Sequence, residues 1–156
     1  EVYMNTRSYE AALKSIERIA KPSAQIMEAK QKILFQLGTQ SFANANFEQA
    51  LQYLNQSIAI GQYNRQTKAD AYYWCGESYY RLNRMMEAAR DFNAYLQLTT
   101  QPNNEMYALA NYNLGLLFIV RTIHRQAITS KSISNWKKAK TEQRLQMPTT
   151  VSETVI

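Results

Sequence analysis

The sequence predicts an all-α chain of antiparallel helix pairs, stacked in a right-handed array. Three observations predict it. Glycine (4) and proline (3) are scarce among 156 residues, so the usual helix breakers are few. Ala12, Ala50 and Ala88 fall 38 residues apart. Leu37-Gly38, Cys75-Gly76 and Leu114-Gly115 repeat at 38 and 39. Two independent marks on one period identify an internal repeat, which decides the fold before any single element does.

Each element follows from local pattern. Residues 1–22 read as a lone second helix around Ala12 and Ile16, the remainder of a truncated repeat. Residues 23–62 form the first complete repeat, with helices near 24–43 and 47–60. Leu34, Leu37, Ser41 and Phe42 mark the inward face of its first helix. Phe47, Ala50, Leu51, Leu54 and Ile58 mark that of the second, and Gly61 closes it. Residues 63–102 form the next repeat, with helices near 67–82 and 85–98. Tyr72, Cys75, Tyr79 and Leu82 recur at spacings of three and four, one face of a helix. Asn83-Arg84 makes the turn, and Ala88, Phe92, Tyr95 and Leu96 give the partner helix. Pro102 cannot continue a helix, and Asn103-Asn104 suit an N-cap. Residues 103–120 are the first helix of a third repeat.

The small residues have a mechanical reason. Two helices approach closely only where one presents little side chain. Gly38, Gly76 and Gly115 serve on the first helices; Ala12, Ala50 and Ala88 serve on the second. A large residue four places after each alanine (Ile16, Leu54 or Phe92) fills the neighbouring gap. One pair cannot bury its apolar face alone, so pairs must stack.

At these residues the chain resembles the tetratricopeptide-repeat family. The family's signature of aromatic, Leu-Gly, Tyr, then Ala, Phe, Ala is matched by Tyr72, Cys75-Gly76, Tyr79, Ala88, Phe92 and Tyr95. The first repeat offers Leu34, Leu37-Gly38, Ser41, Ala50, Leu54 and Ser57. The family's final proline is absent, and the period exceeds the usual ~34 residues. The likeness covers residues 1 to about 117. It implies a non-catalytic scaffold that takes a peptide or partner protein in a concave groove lined by the first helices. A different class is a structural spacer or self-association module of a larger envelope protein. An exposed patch in the groove favours binding, and a filled groove favours the spacer. The texture of residues 72–80 is similar to repeats of Gram-negative cell-envelope proteins, which implies a periplasmic or envelope location. No signal peptide is visible.

Counted from the glycines, the groove row is Phe35, Tyr73 and Tyr112, aromatic throughout. Tyrosine suits peptide recognition because it buries large area with a polar tip. Lys32, Thr39, Glu77, Tyr80 and Arg81 stand beside it. The lysine and asparagine clamp that some relatives use on a C-terminal carboxylate is absent from these places.

Other chemistry is poorly supplied. His124 is the single histidine, and Cys75, the single cysteine, sits at a packing position. No phosphate-binding glycine loop or metal-ligand spacing occurs, and Glu77 and Glu87 form no acid–base pair. The expectation is no enzyme, no metal and no cofactor. The formal charge of +6 is misleading about nucleic acid. Residues 1–117 carry a net +1 and residues 118–156 a net +5. The body therefore holds no basic excess for phosphates. The longest apolar run, Leu114 to Val120, is too short to span a bilayer, so no direct membrane insertion is expected.

From about residue 118 the pattern lapses, and residues 121–156 form an anomalous basic tail. Residues 146–156 can be written in permitted codons that, read one base earlier, give A-D-A-Y-N-R-I-G-D-C-Y. That string matches the pattern of Ala69 to Tyr79. With silent bases chosen freely, the same shift can turn residues 122–136 into a string such as N-Y-T-Q-A-x-x-Y-F-K-K-Y-I-E-L, which resembles residues 83–98. Its alanine falls at position 126, 38 after Ala88, and the recovered glycine at position 153, 38 after Gly115. The tail thus reads as out-of-frame sequence, expected to be disordered or a loosely docked helix.

Overall fold

A computed structural model describes the backbone of residues 2–145 and the side chains of residues 7–142. It holds six helices: α1 (Val2–Glu17), α2 (Ala24–Ala43), α3 (Phe47–Ala59), α4 (Arg65–Arg81), α5 (Met85–Leu98) and α6 (Glu105–Leu145). No strand occurs among the described residues. The four helices expected between residues 24 and 98 all form, with ends within two residues of the expected ones. The chain divides into two compact bodies, residues 1–117 and residues 118–156.

In the first body α2 packs on α3, α3 on α4, and α4 on α5. Leu34, Leu37, Leu54, Cys75, Phe92 and Tyr95 are at most 1% exposed and form the core, with Ala50 and Ala88 fully enclosed between them. The glycines set the spacing. A Cβ on Gly38 would stand 2.6 Å from the Leu54 side chain, and one on Gly76 would stand 2.8 Å from the Phe92 ring.

The α2–α3 and α4–α5 turns are built alike, 38 residues apart. The amides of Asn44, Ala45 and Asn46 donate to the carbonyls of Gln40, Phe42 and Ser41. Those of Leu82, Asn83 and Arg84 donate to the carbonyls of Ser78, Tyr80 and Tyr79. At the centre of each turn the backbone is left-handed, with φ 59° at Ala45 and 60° at Asn83. Asparagine tolerates that region and alanine does not.

Polar contacts also tie the helices and their connections together. Gln31, fully buried, donates from Nε2 to the Asn64 carbonyl at 2.8 Å and accepts from the Asn64 amide at 2.9 Å. Ser57 donates to the Gln31 carbonyl at 2.9 Å. Asn64 then caps α4 by accepting from the Thr67 amide at 2.9 Å. Asn104 caps α6 in the same way from the Tyr107 amide at 2.8 Å, the capping its sequence context suggests. It also accepts from the Tyr95 hydroxyl at 3.1 Å.

Three expectations need correction. Gly115 makes no close approach, since a Cβ there would meet nothing within 4 Å. Ala12 and Ile16 are only partly buried, unlike Ala50 and Leu54. The helix expected to end at residue 120 runs to Leu145. The physical reason is local: no glycine or proline stands between Gly115 and Pro148, and Arg, Gln, Ala and Lys sustain a helix. The described backbone of the second body, residues 118–145, is the later part of that helix, with every side chain from 118 to 142 exposed. The out-of-frame reading of residues 146–156 lies outside the described residues.

Replacing Ala45 by Gly or Asn relieves the left-handed strain. Each variant should gain about 0.5–1 kcal/mol, read as a higher urea midpoint at unchanged slope. An unchanged midpoint would show that the turn carries no strain.

Candidate interaction surface

The groove row is not uniform. Phe35 is half-buried, Tyr73 is 5% exposed and Tyr112 is 63% exposed. The expectation that Tyr73 lies open is therefore corrected. Its ring is enclosed by Trp74, Phe92 and Tyr95, with centroids at 5.4, 5.7 and 5.4 Å. Burial, with Glu77 beside it, pushes the Tyr73 hydroxyl above its ordinary range. Tyr73 is a core residue of the α4–α5 pair.

The polar neighbours are partly engaged. Lys32 pairs with Glu28 at 2.8 Å on the exposed side of α2. Glu28 is held below the ordinary carboxylate range by that bond and by one from Asn64. Thr39 donates to its own helix, at the Gln36 carbonyl, 3.0 Å away. Glu77 accepts from Asn113 Nδ2 at 2.7 Å, which ties α4 to the start of α6. Tyr80 is 38% exposed.

Arg81 differs from these. Its guanidinium stands 6.0 Å from the Phe42 ring centroid. No acid pairs with it among the described residues. Phe42 meets Trp74 edge to face at 4.9 Å and Phe47 at 5.3 Å. Phe42, Phe47 and Trp74 are all half-buried. The structure thus brings together a cation and three partly open aromatic rings from α2, α3 and α4. Register alone placed Tyr80 and Arg81 on the groove side and Phe42 on the inward face of α2. It did not pair Phe42 with Trp74, because that contact depends on how α2 and α4 are offset. The only sequence signal was Trp74 standing two residues before Gly76.

Two titratable groups are buried near one another without forming a reactive site. Cys75 is fully buried, and its thiol is pushed well above the ordinary range by burial, with the Asp91 carboxylate adding and Arg90 opposing. Asp91, 1% exposed, accepts from Arg90 Nε at 2.7 Å. Burial still raises its carboxyl above the usual value, with the Arg90 bond working against that rise. A neutral, enclosed thiol is a poor nucleophile.

No group of three or more His, Cys, Asp or Glu stands together among the described residues. Nor is any described helix long and apolar enough to cross a membrane. A shallow depression between Phe118 and Ile133 is lined by α6 alone. Compared with known proteins, the chain matches no family model, no curated protein and no solved structure.

Cys75 should resist a soluble thiol reagent at pH 8 in the folded chain and react fully in 6 M guanidinium. Rapid reaction in the native state would mean that the α4–α5 pair opens readily.

Proposed function

We propose that residues 1–117 are a tetratricopeptide-like stack of antiparallel helix pairs whose first helices present a surface to a peptide or partner protein. Four features support the stack: the 38-residue period, the matching turns, and the glycine contacts at Leu54 and Phe92. The three-residue connections at 44–46 and 82–84 complete the set, because short links join neighbouring antiparallel helices.

The observation that carries the binding reading is the Phe42–Trp74–Arg81 cluster. A partly open aromatic pair beside a guanidinium with no acid partner among the described residues offers an apolar anchor and a carboxylate partner at one place. Aromatic and arginine side chains in such settings dominate binding energies. Tyr80 and Tyr112 are further exposed aromatic side chains, and Phe35 and Thr39 stand partly open on α2. The partner best suited is a peptide with an acidic residue beside an aromatic or large aliphatic one. The spacer reading fits Tyr73, whose burial fills the middle of the row. The 63% exposure of Tyr112 and the lack of an acid partner for Arg81 among the described residues favour binding.

The test is selection of a random peptide library on the immobilised chain, followed by titration of the recovered peptides. Arg81→Ala, Trp74→Ala and Tyr112→Ala should each weaken binding by about 1–2 kcal/mol, with Arg81→Ala and Tyr112→Ala leaving the melting temperature unchanged. Recovery of no peptide, or equal affinity for all variants, would leave the spacer as the better reading.

A further inference from the structure

In both packed pairs the row that receives the second helix is defined residue by residue. On α2, Gln31, Leu34, Leu37 and Gly38 are buried; on α4, Ala69, Cys75 and Gly76 are buried and Tyr72 is half-buried. One register later on α6 the same row is bare. Ala108, Asn111 and Gly115 are exposed, and Leu114 is half-buried. The next register position makes the contrast numerical: Tyr79 on α4 is 8% exposed and Phe118 is 72%. Where Gly38 faces Leu54 and Gly76 faces Phe92, Gly115 faces open space. The adjoining side of α6 is engaged: Ala110 and Leu117 are buried, and Asn113 bonds to Glu77. The start of α6 therefore presents, among the described residues, a face with no second helix on it.

We propose that this face is the seat of a helix encoded by the gene segment that now specifies residues 122–136, read one base earlier. The inference rests on the repeat reading above. With permitted codons, the shifted string can carry an alanine at position 126 and a phenylalanine at position 130. That is the spacing of Ala50 with Leu54 and of Ala88 with Phe92, the residues that close on Gly38 and Gly76. Its phenylalanine falls 15 residues after Gly115, against 16 in the two packed pairs. The present sequence shows the complement of this deficit. Ile123, Ile128, Ile133 and Trp136 are each about half or more exposed, apolar side chains that no core receives. A one-base shift near residues 117–121 explains both the seat without a helix and the helix without a core. On this reading the tail's positive charge and His124 have no functional role.

Two measurements test it. The first is the codon sequence of residues 118–156. The shifted reading should return the alanine at 126, the phenylalanine at 130 and the glycine at 153; codons that cannot do so overturn the proposal. The second is a melt of two chains, the present one and one with the shifted reading after residue 120. Gly115→Leu should lower the melting temperature of the in-frame chain by roughly 3–10 °C through overpacking. In the present chain it should not lower the melting temperature, because only the helix-propensity gain over glycine remains. A silent Gly115→Leu in the in-frame chain overturns the seat, provided Gly76→Leu is damaging there. Were Gly76→Leu silent too, the repeat reading itself would fall.

Discussion

The first body depends on two places where a helix backbone takes a large apolar side chain directly. Leu54 lies against Gly38 and Phe92 lies against Gly76, each large residue with no exposed surface. At these separations even one methyl group would collide. Closing the helices this far encloses Ala50 and Ala88 completely. In the α4–α5 pair it also brings Tyr73 against Phe92 and Tyr95. Dense interiors of this kind respond to single methylene changes, so the glycines limit what every neighbouring position can hold.

Apolar contact within the pairs is complemented by directional contact between them. Gln31 satisfies both backbone groups of Asn64, and Asn64 in turn caps α4. Gln66 acts similarly at the next connection. Its Oε1 accepts from the Thr100 amide and hydroxyl at 2.8 and 2.6 Å, while Arg65 Nε donates to the Leu98 carbonyl at 3.1 Å. A buried amide in such a place is costly to leave unmatched. These bonds fix where each new helix starts, and with it the offset between α2 and α4. That offset sets Phe42 on Trp74, so the candidate interaction surface follows from the polar links as much as from the core.

Much of this was legible in the sequence because the decisive residues recur. Gly38, Gly76 and the alanines gave the period, the apolar residues around them gave the helix faces, and Asn104 read correctly as a cap. Exposure was less legible. Tyr73 and Tyr112 share a register position, yet one is buried and the other open. Register tells which way a side chain faces, and burial depends on what stands opposite. Phe92 and Tyr95 stand opposite Tyr73; beside Tyr112, a Cβ on Gly115 would meet nothing within 4 Å. The length of α6 was missed for a related reason. A lapse in the repeat pattern says that packing has changed, while the helix itself persists until a residue stops it.

The most direct test of glycine-limited packing is a double-mutant cycle between Gly76 and Phe92, followed by urea unfolding. In the natural background Gly76→Ala should destabilise the chain, because the added methyl meets the Phe92 ring. In a Phe92→Ala background that ring is gone, and only the helix-propensity gain of alanine over glycine, up to about 1 kcal/mol, remains. Gly76→Ala should then change sign and stabilise the protein. Equal effects of Gly76→Ala in the two backgrounds would contradict the claim that this contact holds the pair together.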